Sequence, residues 1–369
     1  MRTTIKVLIV DDSALIRQML TRALSVDPRI EVVGTAKTGV EAIEQTRLLQ
    51  PDIITLDIEM PELTGLEALP HLRKLSDARI LMLTTLDDPD TTLQALSGGA
   101  VDFIAKPREG FASSLLALTD VLLKKIRIAY RVSPDSLDRA KAGAQITALA
   151  AHSPEGLSDG GHEAEEPDGE RASEIHNIVG IAASTGGPPA LERVLAGLNS
   201  RLPATYLLVQ HLPAGFSTSL ARRLSKSSGV PVHEAVDGMI LEPARAYLAP
   251  HGLHMVLTEP SPGIYRIRLD DTPPMHGVRP SADPLFQSLA ELLGDRAVGV
   301  VLTGMGADGA DGMASIKSVG GETIAQDEAT SVVWGMPGAA HKIGAVRRMV
   351  PIDNVAIEIR RVIRGGSAS

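Results

Sequence analysis

The sequence predicts an α/β protein of two doubly wound parallel-sheet domains, and three observations lead there. Short apolar runs alternate with helix-length amphipathic stretches from Ile5 to about residue 125, the alternation stops in an acidic segment, and it resumes after Ile175. Parallel neighbours need a crossover between them, so runs spaced this way read as βαβ units. A chain of 369 residues also holds roughly two to two and a half domains' worth of material.

In the first half, strands are expected at Ile5–Val10, Ile30–Val33, Ile53–Leu56, Ile80–Leu83 and Val101–Ile104, which make a five-stranded domain over residues 3–125. Residues 151–174 carry eight acidic residues against one arginine, with four glycines and Leu157 as the one large aliphatic. Such a segment buries too little apolar surface to offset its ordering entropy, so 126–174 reads as a largely flexible, acidic linker. In the second half, strands are expected at Ile178–Ala182, Tyr206–Val209, Ala246–Leu248, Ala297–Leu302 and Gly321–Ala325, within a larger domain over 175–365. Two alternating runs about Pro262-Gly263, between Met255 and Leu269, predict an antiparallel hairpin added to that second sheet.

Composition removes several classes of function. A net charge of −9 works against sequence-independent attraction to nucleic acid, which needs clustered lysine and arginine. No cysteine occurs, so thiolate metal sites and cysteine nucleophiles are excluded. The apolar stretch Val7–Val10 is too short for a signal peptide, and no run approaches the ~18 apolar residues of a membrane span. A cytoplasmic, monomeric protein without direct membrane insertion is expected.

Chemistry gathers at strand ends. Asp11 and Asp12 follow the first strand and Asp57 the third, and carboxyl ends of parallel strands share one crevice. Three carboxylates there repel one another, which protonation or a hard divalent cation such as Mg2+ relieves. Lys106, after the fifth strand, adds a positive charge, and Thr84, after the fourth, a hydroxyl. Taken singly, each aspartate also fits a loop start or a helix cap.

In the second half, Ser184 stands between the strand at Ile178–Ala182 and a helical pattern opening at Gly186-Gly187-Pro188-Pro189. A helix cap, a phosphate loop and a nucleophile all fit it, though the loop lacks the Walker lysine and the dinucleotide spacing. A nucleophile needs a base and a group to orient that base. His211 follows the next strand, and Asp308 lies in the glycine-rich loop after the strand at Ala297–Leu302, with Asp311 as a competing carboxylate. All three groups lie at one edge of a parallel sheet, where His211 takes the Ser184 proton and Asp308 stabilises the imidazolium. Backbone N–H groups at the helix start or in the Thr303 to Gly306 loop would hold the oxyanion. The chain order Ser, His, Asp and the alanine at 182 set this apart from the G-x-S-x-G elbow of α/β-hydrolases.

The first-half motifs, Val10-Asp11-Asp12-Ser13, Leu56-Asp57-Ile58-Glu59-Met60-Pro61, Leu83-Thr84-Thr85 and Lys106-Pro107, resemble the response-regulator receiver domains of two-component signalling, a flavodoxin-like fold. The resemblance implies that Asp57 accepts a phosphoryl group from a histidine kinase. It implies further that Asp12, Asp57 and the Glu59 carbonyl hold Mg2+ with help from Asp11, that Lys106 and Thr84 meet the phosphoryl oxygens, and that Phe103 is the aromatic switch.

The second-half motifs resemble the chemotaxis protein-glutamate methylesterase domain, a larger Rossmann-like fold. They are Ala183-Ser184-Thr185-Gly186-Gly187, Gln210-His211-Leu212-Pro213, Arg279-Pro280-Ser281 with Asp283, Leu302-Thr303-Gly304-Met305-Gly306-Ala307-Asp308-Gly309 and Gly335-Met336-Pro337. Together the halves resemble the chemotaxis response regulator protein-glutamate methylesterase family. This implies a triad of Ser184, His211 and Asp308, with Thr185 near His211, the Met305 amide at the oxyanion site, and no cofactor for hydrolysis. It also implies glutamate methyl esters of methyl-accepting chemotaxis receptors as substrate, deamidation of selected receptor glutamines, a chemotaxis histidine kinase as phosphodonor, and a receiver that covers the catalytic crevice until phosphorylated. Ala182 departs from a glycine usual in that family. The alternatives are a non-enzymatic response regulator with a ligand- or protein-binding output domain, a receiver-controlled peptidase or lipase, and a transcription factor.

Overall fold

Strand β1 (Ile5–Val10) is buried at every position but Lys6, as expected of a strand covered on both faces. The computed structural model describes residues 4–106, 111–133, 177–198 and 202–365, with side chains 111–117 excepted. In the first domain β1 is followed by α1 (Ala14–Leu24), β2 (Ile30–Ala36), α2 (Gly39–Leu49), β3 (Ile53–Asp57), α3 (Gly65–Leu75), β4 (Arg79–Thr84), α4 (Pro89–Ser97), β5 (Asp102–Ala105) and α5 (Phe111–Arg131). All five strands are parallel in the order β2-β1-β3-β4-β5. Polar caps start the helices: Ser13 accepts from the Ile16 amide, and Thr64 and Glu67 form a reciprocal capping box on α3.

The expected boundary at residue 125 falls inside α5. That helix runs on to Arg131, and Ile126, Ala129 and Val132 are buried in the same apolar cluster as Leu20, Leu24 and Ile104. The acidic stretch at 151–174 lies outside the described residues.

The second domain contains β6 (Asn177–Ala183), α6 (Gly187–Ala196), β7 (Ala204–Gln210), α7 (Phe216–Ser228), β8 (Val232–Glu234), β9 (Ala246–Leu248), β10 (His254–Ser261), β11 (Ile264–Asp270), α8 (Ala282–Leu293), β12 (Val298–Val301), α9 (Ala310–Ser318), β13 (Glu322–Gln326), α10 (Met336–Lys342), β14 (Arg348–Val350) and α11 (Ile352–Gly365). Seven strands make a parallel sheet in the order β14-β13-β12-β6-β7-β9-β8. The chain builds outward from β6 on one side and returns to add β12 on the other. The carboxyl ends of β6 and β12 therefore flank a topological switch point, the usual place for a site in such sheets.

One expectation needs correction. The hairpin forms, but β10 and β11 make their own two-stranded sheet instead of joining the larger one. The first half of β10 packs against α8, where the Leu257 amide donates to the Ser288 hydroxyl at 2.9 Å, so a helix side chain satisfies that strand. Strands β8 and β14 were not anticipated, because three residues each are too few for periodicity to register.

The domains share apolar packing. Leu93, Leu96 and Phe103 of the first domain belong to one buried cluster with Leu212, Phe216 and Leu220 of the second. Around it, Arg222 pairs with Asp90 at 2.5 Å, and Ser97 donates to Glu192 at 3.3 Å.

Candidate active site

Past the end of β1, Asp11 is wholly buried, while Asp12 beside it is exposed; Asp57 closes β3. These three carboxylates each offer an oxygen within 4.8 Å of the others. Lys106 Nζ bridges two of them, 2.8 Å from Asp11 Oδ2 and 2.7 Å from Asp57 Oδ2. Burial pushes the Asp57 carboxyl up to about 6, and the Asp11 charge adds to this, against the opposing pull of Lys106. Burial draws the Lys106 ammonium down, but its two aspartate partners raise it overall. One cation among three carboxylates leaves excess negative charge on oxygen donors, a set that fits a hard divalent cation.

A cavity of about 180 Å3 opens over this cluster, lined by Asp12, Asp57, Glu59, Thr84, Asp88 and Lys106 among others. The Glu59 amide donates to Asp57 Oδ1 at 3.4 Å. The Thr84 hydroxyl lies 3.1 Å from that of Thr92 and accepts from the Leu86 amide at 3.1 Å. Phe103 is buried against the second domain, with Lys125 Nζ 5.1 Å from its ring centre and donating to its carbonyl at 2.7 Å.

At the second sheet, Ser184 and His211 are the first residues beyond β6 and β7, whose register pairs Ala183 with Gln210. Ser184 is not a helix cap. The N-cap of α6 is Gly186, which makes no side-chain capping bond. The Ser184 amide donates to the Thr303 carbonyl at 3.0 Å, so the turn after β6 is tied to the loop after β12. Gly304 in that loop passes so close that a Cβ there would lie 2.8 Å from the Ser184 Cβ.

The loop after β12 also delivers Asp308, 1% exposed, whose Oδ2 lies 2.7 Å from His211 Nε2. Asp308 Oδ2 accepts from the Ala282 amide at 2.8 Å as well, and Ser281 donates its hydroxyl to Oδ1. Burial alone raises this carboxyl, but the hydrogen bonds from His211, Ser281 and Ala282 outweigh it and hold the group below its ordinary value. An ionised carboxylate thus faces the imidazole. The competing Asp311 is exposed in the first turn of α9 and has no part in the contact with His211.

Ser184, His211 and Met305 line one cavity of about 330 Å3, together with Thr185 and Gln210. Among the described residues the Ser184 hydroxyl makes no hydrogen bond, so the structure brings imidazole and carboxylate into contact and leaves the serine hydroxyl open to the cavity. The Gly304 carbonyl accepts from the Gly335 and Met336 amides at 3.0 and 2.8 Å. A trans peptide points its N–H opposite its carbonyl, so these bonds also fix the direction of the Met305 N–H. Thr185 lines the same cavity as His211, and its hydroxyl donates to Asp102 of the first domain at 2.9 Å.

The opposite wall of the cavity comes from the first domain, through Leu96, Asp102, Phe103, Val121, Lys125 and Ile128. Sequence reasoning missed Asp102 and Gln210 as parts of this site. Gln210 and Ser281 stood inside the motifs above, but their side chains gave no hint of their partners.

Residues 7–113 match the response regulator receiver domain, and residues 179–359 match the CheB methylesterase family model. A protein-glutamate methylesterase/protein-glutamine glutaminase 1 of Xanthomonas campestris pv. campestris is 43% identical over 358 residues, which cover 96% of each chain. A protein-glutamate methylesterase/protein-glutamine glutaminase of Pyrococcus horikoshii is 40% identical over 367 residues, 98% of this chain and 95% of that one. Among solved structures, the Thermotoga maritima CheB methylesterase catalytic domain aligns with a TM-score of 0.49 and 36% identity, over 51% of this chain and 97% of that chain. With a receiver sheet, a second sheet presenting Ser184 beside a His211–Asp308 pair, and such identity along nearly the whole chain, this protein belongs to the protein-glutamate methylesterase/protein-glutamine glutaminase family.

Proposed function

We propose that this protein is a phosphorylation-activated serine esterase that hydrolyses glutamate methyl esters on methyl-accepting chemotaxis receptors and deamidates selected receptor glutamines. The observation that carries the reading is the His211–Asp308 contact opening onto the cavity that Ser184 lines, beneath a wall supplied by the receiver. Family membership favours this over a non-enzymatic output domain.

Asp308 holds His211 through Nε2, so Nδ1 is the nitrogen that takes the Ser184 proton as Oγ bonds to the ester carbon. The negative charge on the carbonyl oxygen falls to the Met305 N–H, aimed by the clamp on the Gly304 carbonyl, and to backbone N–H groups of the Thr185 turn. Collapse breaks the C–O bond, and the leaving methoxide takes the proton from His211 to depart as methanol. Water, deprotonated by the same imidazole, then cleaves the acyl-enzyme to free glutamate. With glutamine the leaving group is ammonia.

The receiver acts as a gate. A receptor helix is about 10–12 Å across with its side chains, which a cavity of about 330 Å3 walled by Phe103 and Ile128 does not admit. Mg2+ held by Asp12, Asp57 and the Glu59 carbonyl, with Asp11 assisting, would offset phosphoryl charge during transfer from a chemotaxis histidine kinase to Asp57. Lys106 and Thr84 then meet the phosphoryl oxygens, and drawing Thr84 from Thr92 disturbs the α4–β5 face that carries Phe103. The test is methanol release from methylated receptors with and without acetyl phosphate. Stimulated release in the wild type, lost in Ser184→Ala, is expected; equal release by Ser184→Ala would overturn the reading.

A further inference from the structure

Two catalytic loops leave adjacent strands here, and little backbone hydrogen bonding ties one to the other. The His211 amide donates to the Ala183 carbonyl at 3.2 Å, which is the last rung of the β6–β7 ladder. Beyond that rung the connection passes to a side chain. Gln210 Nε2 donates to the Ser184 carbonyl at 2.9 Å and to the His211 carbonyl at 3.1 Å. Both N–H bonds of a single carboxamide are spent on the backbone of the two residues that exchange a proton.

We infer that Gln210 is a positioning residue for the hydrolytic reaction, one buried amide that sets the nucleophile turn and the base loop against each other. This rests on the esterase reading above. Three features support it. Gln210 is only 2% exposed, so solvent competes little for its two bonds. The Ser184 carbonyl has a second donor, the Gly187 amide at 2.7 Å, so its peptide plane is held from two directions. The fit around the amide is tight, since a Cβ on Gly187 would collide with Gln210 Oε1. Because a trans peptide opposes its N–H and C=O, pinning the Ser184 carbonyl also sets the line of the Thr185 N–H, and pinning the His211 carbonyl sets that of Leu212.

Chemistry separates positioning from plain core packing. Glutamate at 210 is nearly isosteric, but its ionised form has no donor and would face two carbonyl oxygens, whereas its protonated form restores one O–H donor. Burial favours the protonated form. The kcat ratio of Gln210→Glu to wild type is therefore expected to fall at least about tenfold between about pH 5.5 and about pH 8. Gln210→Leu keeps volume and removes both donors. Its kcat is expected to drop on the order of a hundredfold, with KM for receptor changed less than about threefold, because misplacement acts on the transition state and not on docking.

The experiment measures methanol release from methylated receptors by the full chain at saturating acetyl phosphate, with folded fraction followed by circular dichroism. A folded Gln210→Leu with kcat close to wild type, or a Gln210→Glu ratio that is flat with pH, overturns the inference. If Gln210→Leu does not fold, the pH dependence of Gln210→Glu decides alone. A wild type that releases no methanol sinks the esterase reading and this inference together, whereas an active wild type with an unaffected Gln210→Leu sinks this inference only.

Discussion

The ring of Phe103 lies parallel to that of Phe216, with centroids 5.2 Å apart and planes inclined by 1°. One residue sits on the last strand of the receiver, the other opens α7 just past the His211 loop. One residue earlier in β5, Asp102 holds the hydroxyl of Thr185, so the receiver touches the segments that follow both Ser184 and His211. The His211–Asp308 bond is formed with the first domain in this position.

Phe103→Ala is expected to raise methanol release by the unphosphorylated chain. A stacked aromatic pair contributes about 0.5–1.5 kcal/mol beyond area burial, so the uncovered population should grow by up to about tenfold. Stimulation by acetyl phosphate should shrink in proportion. A basal rate equal to wild type would show that the ring pair does not hold the domains together.

Asp57→Asn is expected to stabilise the metal-free protein at neutral pH. The Asp57 carboxyl lies at about 6 in the folded protein against 3.8 in the unfolded chain. A raised value means that the folded state binds the extra proton, so its contribution is full below 3.8 and is lost as pH rises through about 6. Above that window the ionised carboxylate costs about 2–3 kcal/mol, which asparagine removes. Urea unfolding should show the variant ahead at pH ~7.5 and level with wild type near pH ~4, with Mg2+ narrowing the gap at the higher pH. The variant should also lose all response to acetyl phosphate.

Asp308→Asn should lower kcat by about four orders of magnitude, since an amide does not compensate an imidazolium. The same carboxyl is held below its ordinary value, so its contribution to stability is present above the unfolded value and is lost as pH falls. Acid unfolding of the variant should therefore start from a lower stability and depend less steeply on pH than that of wild type.

Gly304→Ala would drive a methyl group into Met336 Sδ and place it 2.8 Å from the Ser184 Cβ. Displacement of the nucleophile by a fraction of an ångström to an ångström is expected to reduce kcat on the order of a hundredfold, with a smaller effect on thermal unfolding. Steady-state kinetics with receptor substrate, set beside a melting curve, separates the two effects.

Several of these relationships were readable in one dimension and others were not. Asp11, Asp12, Asp57, Thr84 and Lys106 could be gathered from sequence because a parallel βαβ array delivers residues at successive strand ends to one crevice, whatever the details of packing. The same logic brought Ser184, His211 and Asp308 to one edge, and it favoured Asp308 over Asp311 by nearness to the strand end. Strands β10 and β11 stood apart from the main sheet, because burial against a neighbour, unlike period, has no local signature.

By itself, then, the sequence determined two parallel sheets, the edge of each that carries chemistry, and the residue types waiting there, since strand alternation and crossover geometry are local properties of the chain. Tertiary structure alone decided that Phe103 meets Phe216, that Asp102 takes the Thr185 hydroxyl, that Ser281 and Ala282 brace Asp308, and that Gln210 spans two catalytic loops. Those contacts join segments whose meeting depends on how helices and sheets pack, a sum of many small burial energies that no single stretch of residues encodes.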